Sequence, residues 1–281
     1  MPSQSSSLEQ ARRALGLRLR EIRIDADLTG KALASLAGWD RTKVSKIEYG
    51  KQPPTPGDIT TWCRHCGADE MAPDLIAATR TAAGAYVEWR RMQHSGLRRL
   101  QEAVVPLYER TSHFRIYEPS LIPGLLQTPG YAKALMEAIV GFRGIPDDTD
   151  AAVATRMERQ SVLHTGRRFA VLLEEAALRT KIGGSEVMAG QLGHLLTLAT
   201  IPSVSLGVLP FSRDREMWPV EGFWIFDSEL VKIELTSASV NITQPGEIAI
   251  YMQAFEYLAG LAMIGKGARA LITSAIDDLD R

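Results

Sequence analysis

Arg41, Thr42, Ser45 and Lys46 are the residues of this 281-residue chain whose types and spacing first suggest chemistry. Val44 and Ile47, interleaved with them, fall at helical spacing. Turning those two inward leaves the four polar residues on the opposite, solvated face. An arginine near a helix N-terminus can bond guanine O6 and N7 bidentately in a major groove, and Lys46, one turn after Thr42, reaches further along the same groove. Thr42 and Ser45 suit phosphate, a thymine methyl or a base edge. The chemistry on offer is recognition of duplex DNA. The plainer alternative is an amphipathic helix pair whose cations serve solubility.

The flanking sequence supplies what such a helix needs to be held in place. Leu33, Leu36 and Ala37 recur at helical spacing ahead of it, and Gly38 stands where a helix C-terminus needs a residue tolerant of positive φ. Asp40 then offers a carboxylate to the free N–H groups of the next helix. Together these make a helix-turn-helix. Upstream, residues 1–7 read as a disordered tail. A helix is expected from about Leu8 to Asp25, burying Leu8, Leu15, Leu19 and Ile22 and exposing Arg12, Arg13, Arg18 and Arg20. Downstream, Thr55 caps a fourth helix with Pro56 at its first position, and Ile59, Trp62, Cys63 and Cys66 share one face of it.

The order of residues goes beyond a generic helix pair. Leu28-Thr29 before the second helix, Ala34-x-x-Ala37-Gly38 into the turn, and Val44-Ser45-Lys46-Ile47-Glu48-x-Gly50-Lys51 resemble the phage-repressor (XRE, Cro/cI-like) family over about residues 12–66. The resemblance implies an all-α, lambda-repressor-like DNA-binding domain. It implies base reading by Arg41, Thr42, Lys43, Ser45 and Lys46, and phosphate contact at Thr29, Lys31 and Lys51. It also implies an ion pair between Arg23, late in the first helix, and Glu48, at the end of the recognition helix. Where the family often carries glutamine near the start of the second helix, this chain has Gly30, so that residue's contacts are missing.

Size and charge suit a second domain of a different kind. Residues 1–115 carry a net charge of +5 and residues 116–281 one of −6, as expected of a nucleic-acid-facing part beside one that is not. The N-terminus carries no apolar signal segment and no stretch is long enough to cross a membrane, so the expected location is cytoplasmic. The two cysteines form Cys63-Arg64-His65-Cys66, which invites a zinc or redox reading. A structural zinc site needs four ligands, however, and no second cysteine pair exists. Both cysteines lie on the apolar helix face, so packing is expected and no metal. Enzyme signatures are also missing: there is no Gly-rich phosphate loop or GxSxG elbow, and the adjacent Glu174 and Glu175 point in different directions from a strand end. Neither an enzyme nor a cofactor is expected.

A helical connector is expected over 73–112, with breaks at Gly84, Gly96 and Pro106. Arg90, Arg91, Arg98 and Arg99 raise the question of further DNA contact, against a solvated face or contact with the acidic domain. Residues 113–281 read as α+β: apolar runs at 113–117, 168–174, 203–209, 222–227 and 230–236 predict a sheet of about five strands with packed helices. Trp218, Phe223, Trp224 and Phe226 cluster beside a Pro/Gly-rich segment, and either line an effector or partner pocket (Trp218, Phe223 and Trp224 above all) or belong to the core. Glu118-Pro119-x-Leu121-x-Pro123-Gly124-Leu125-Leu126-Gln127-Thr128, with Arg156–Gln160 (RMERQ) and Leu173–Arg179, resembles a domain attached to XRE-type regulators in actinobacteria.

The resulting domain expectation is a tail at 1–7, a helix-turn-helix domain at 8–72, a connector at 73–112 and an effector-binding, dimerising domain at 113–281. The function expected is a homodimeric transcription regulator on double-stranded DNA, controlled by a small molecule or small partner protein. The alternative is an antitoxin-like interaction protein that binds DNA mainly to regulate itself.

Overall fold

The computed structural model describes residues 4–81, 86–89 and 96–279. The chain divides into two compact units. One comprises Met1–Tyr86 with Asn241–Ala249, the other Val87–Val240 with Ile250–Arg281.

The first unit is built on five helices: α1 Gln4–Asp25, α2 Gly30–Leu36, α3 Arg41–Glu48, α4 Pro56–His65 and α5 Ala72–Thr81. Residues 4–7, expected within a tail, are helical, because extending a nucleated helix adds one hydrogen bond for each residue fixed; residues 1–3 lie outside the described residues. Leu19, Ile22, Leu33, Val44, Ile47, Ile59, Trp62 and Cys63 form the core, with Ala72 and Leu75 of α5 joining it. The packing of α5 thus continues past residue 72, where the connector was expected to begin. Leu36, expected inside, is 54% exposed, and Ala34 takes the buried position. Gly38 adopts φ +66° as the turn demands. At Gly16 a side chain would sit 2.5 Å from the carbonyl oxygens of Ile47 and Glu48, so this glycine is what lets α1 approach the end of α3.

The connector is not wholly helical. Tyr86–Glu88 forms a strand, β1, as suits aromatic and β-branched residues. Next to it, Trp89 donates its indole N–H to the Leu235 carbonyl at 2.7 Å. Two short helices follow, α6 Arg98–Ala103 and α7 Val105–Arg110. Gly84, Arg90 and Arg91 lie outside the described residues.

The five expected strands are all present, as β2 His113–Glu118, β3 Arg168–Glu174, β4 Val204–Leu209, β5 Phe223–Phe226 and β6 Leu230–Glu234. Two more, β7 Ala238–Ile242 and β8 Met263–Ile264, bring the count from residue 113 onward to seven, and β1 makes an eighth. The order is β1-β7-β6-β5-β2-β3-β4-β8. The extra strands escaped notice because β8 is two residues long and β7 mixes Ala, Ser and Asn with its two apolar positions.

β2, β3 and β4 are parallel, and β5 and β6 add antiparallel on the β2 side. The crossovers carry α8 Pro129–Arg143, α9 Thr149–Arg159, α10 Glu175–Arg179 and α11 Ser185–Leu198; α12 Pro245–Leu261 and α13 Lys266–Asp277 come last. Thr128 caps α8 by accepting from the Tyr131 N–H. One face of the sheet carries Phe114, Ile116, Phe169, Val171, Val204, Leu206 and Phe226. It packs on Met188, Leu192 and Leu195 of α11 and on Ile272 of α13. On the other face, Phe223 meets Tyr117 and Tyr251, the last on α12.

Candidate nucleic-acid interface and a polar recess

The outer face of α3 is set from both ends. Asp40 accepts the Thr42 N–H at 2.8 Å, and the Thr42 hydroxyl at 2.6 Å. The bonds from Thr42 hold the Asp40 carboxyl below its usual range, so it stays ionised at the positive end of the helix. At the other end Arg23 reaches Glu48 with two bonds, Nε to Oε1 at 2.6 Å and Nη2 to Oε2 at 3.2 Å, and also donates to the Leu28 carbonyl at 2.5 Å. One arginine thus ties α1, the turn before α2 and the end of α3 together.

Arg41, Ser45 and Lys46 stand exposed on the face between these clamps. Thr42 is exposed, but its hydroxyl proton is committed to Asp40. Lys43 departs furthest from expectation. Its Nζ is 2.6 Å from Asp58 and 4.6 Å from the centre of the Trp39 ring, so it joins α3 to α4 instead of facing outward. Asp58 serves twice, since it also closes the capping box of α4 with Thr55. Burial works to raise the Asp58 carboxyl, but the bonds from Lys43 and Thr55 outweigh it and hold the group below its usual range.

Thr29 caps α2 by accepting the Ala32 N–H at 3.1 Å, and Lys31 and Lys51 are exposed. Tyr49, just past α3, is 60% exposed, and sequence reasoning passed over it. Cys63 is fully buried and Cys66 half-buried; both are free thiols, and burial pushes Cys63 up to about 11. A thiol so placed is a packing group and not a nucleophile. Among the described residues no group of His, Cys, Asp and Glu is arranged to hold a metal.

The aromatic trio expected to line a pocket is not brought together. Trp218 is 71% exposed in the loop before β5, while Phe223 and Trp224 are neighbours on one strand and therefore project to opposite faces of the sheet. Only Trp224 joins a polar site. Its indole N–H donates to Glu118 Oε1 at 2.7 Å, and its ring stacks with Tyr108, which in turn lies under the Arg159 guanidinium at 4.9 Å. Beside Arg159 on α9, Arg156 donates to Gln101 and to Gln127, the latter at 2.5 Å. Gln160 donates to the carbonyls of Gly124 and Gln127. The runs 118–128 and 156–160, 28 residues apart in sequence, therefore meet at one place. Their quoted residues were visible in the sequence; their convergence needed the fold.

Glu174 and Glu175 diverge as expected. Glu174 is paired with Arg215 and accepts from the Tyr117 hydroxyl, whereas Glu175 pairs with Arg179 and accepts the Phe211 N–H. Both are consumed by structure.

Residues 101–274 match the family described as Domain of unknown function (DUF5753). The chain belongs to that family. Residues 14–75 match a family described as Helix-turn-helix domain, which makes the chain a DNA-binding regulator and not an enzyme. No curated protein matches the chain. Among solved structures it is similar to that of TrmBL2, an archaeal chromatin protein described as showing a novel mode of DNA binding. The identity is 13% and the TM-score 0.33, over 84% of this chain and 87% of that one. A likeness at that level says nothing of function. No helix among the described residues is long and apolar enough to cross a membrane.

Proposed function

We propose that the protein is a sequence-specific transcription regulator that reads an inverted repeat as a homodimer and answers, through residues 113–281, to a small ligand or small partner protein. The observation that carries the DNA reading is the exposed face of α3. Arg41, Ser45 and Lys46 share it, and the helix is fixed by the Arg23–Glu48 pair at one end and by Asp40 at the other. Arg41, at the first position of α3, reads a base edge, and Ser45 and Lys46 extend the contact along the groove. Thr42 contributes its methyl group or accepts with its oxygen, since its proton is committed. Lys43 supports the helix rather than reading. Lys31, Lys51 and the free N–H groups at Thr29 meet phosphate.

Selection of bound duplexes from a random pool, followed by genome-wide mapping of bound sites, tests this. The expected product is an inverted repeat with half-sites about 10 bp apart, or a multiple of that spacing. Enrichment of no repeat would overturn the dimeric reading.

A further inference from the structure

The recess around Trp224 holds more positive charge than its surroundings neutralise. Arg156 and Arg159 make their bonds to neutral partners: the side chains of Gln101 and Gln127, and the Gln101 carbonyl. Among the described residues neither guanidinium forms an ion pair. The Nε–H of Arg159 is fully buried and has no acceptor among the described residues. Lys232 lies beside Trp224 in the β5–β6 register and therefore on the same sheet face; it too has no ion pair among the described residues. Burial lowers both Lys232 and Arg156, the latter to about 10.

The acids nearby do not offset this. Glu118 is pushed up to about 8 by burial and stays protonated, bonded to Trp224. Glu234 is exposed and lies within electrostatic reach of Lys232, Arg156 and Arg143, without closing on any of them. Unpaired cations out of bulk water are costly, and proteins that keep them give them an anion. Arg156, Arg159, Lys232, Glu118 and Trp224 are each only partly buried.

We propose that this recess is a binding site for a small organic anion, its carboxylate or phosphate held by Arg156, Arg159 and Lys232. Guanidinium forks suit both kinds of anion, and the Trp224–Tyr108 stack offers an aromatic wall for a planar group. Protonated Glu118 presents a hydrogen to the ligand's polar edge. That occupancy would alter DNA binding rests on the regulator reading above; the site itself does not.

The experiment uses the full chain, with benzoate and phenyl phosphate as probes, benzyl alcohol as the neutral control and chloride at matched ionic strength. Thermal shift and tryptophan fluorescence give the readouts. The expected result is a saturable rise in melting temperature with benzoate, phenyl phosphate or both, and none with benzyl alcohol or chloride; which of the two works separates carboxylate from phosphate recognition.

Lys232→Met removes a cation without opening a cavity. It should raise the melting temperature of the anion-free protein and weaken probe binding by roughly tenfold or more, as expected for loss of a charge-assisted hydrogen bond. Arg159→Gln should weaken binding comparably. Equal stabilisation by benzyl alcohol, no response to either anion at millimolar concentration, or an unchanged response in Lys232→Met would each overturn the site. Operator affinity with and without probe is read separately: an unchanged value with a bound anion retires ligand control and keeps the site.

Discussion

On α3, Arg41, Ser45 and Lys46 stand in water, whereas on the inner side of the sheet Arg156, Arg159 and Lys232 are folded in beside Trp224 and Tyr108. Each unit carries a local cluster of cations, but the two display it differently. An outward cation on a short rigid helix meets a large polyanion by surface contact and loses little hydration before the partner arrives. An inward cation has already lost much of its hydration and gains most from a partner small enough to follow it in. The same residue types therefore point to different partners, and burial separates the two cases better than charge count does.

The largest expected effect tests whether the outward display depends on its clamp. Glu48→Ala leaves the Arg23 guanidinium nearly buried without its carboxylate, and should destabilise the first unit by about 3 kcal/mol. Glu21→Ala, which removes only the exposed partner of Arg18, should change little. Urea denaturation followed by tryptophan fluorescence measures both, and equal losses would mean that the clamp is not structural.

Next comes the outward face itself. Arg41→Ala should weaken the selected operator by about 1–3 kcal/mol and relax preference at one base position. Lys51→Ala should weaken all duplexes alike and flatten the salt dependence. A selective loss at Lys51 would contradict its assignment to phosphate. Lys43→Ala sharpens the boundary between display and support. It should cost no more than about 1 kcal/mol of stability and leave base preference unchanged; a changed preference would return Lys43 to the reading face.

The last effect, at the inward charges, is read from its dependence on pH. Because Glu118 is raised from 4.5 to about 8, it is protonated in the folded state and ionised in the unfolded state between those values. Its contribution to stability therefore falls as pH rises from about 4.5 and levels off above about 8. Glu118→Gln keeps an acceptor for the Trp224 indole and should reduce that slope, with roughly a few degrees of gain in melting temperature at pH 8. Melting curves across this range compare the two proteins, and parallel profiles would place the Glu118 carboxyl in ordinary water.

The first unit was far more legible in the sequence than the second, for a physical reason. Its signals are local: Val44 and Ile47 set the buried face of α3, Asp40 and Gly38 lie within a few residues of what they cap or turn, and the Arg23–Glu48 pair followed from a resemblance with fixed spacing. The Lys43–Asp58 pair went unseen because Asp58 sits on the next helix, and spacing along α3 carries no trace of it. In the second unit the alternation of apolar residues marked five strands. No local pattern marks β8, and none shows that Lys232 would lie beside Trp224 with Arg159 across Tyr108. Adjacent strand residues face opposite ways, which is why a sequence cluster of Phe223 and Trp224 became two separate environments.

The parallel arrangement of β2, β3 and β4 also bears on the order in which the molecule is made. Among the described residues the core of α1 to α5 draws on residues 15–76, so most of the first unit can fold soon after that stretch leaves the ribosome. The β3–β4 pairing cannot form until residue 209 has been synthesised, and closing such distant strands is intrinsically slow. For an interval during each round of synthesis, a folded recognition helix exists on a nascent chain whose sheet has not yet closed. In a cell where transcription and translation share one compartment, that interval would set how long a new molecule can touch DNA before its recess has formed.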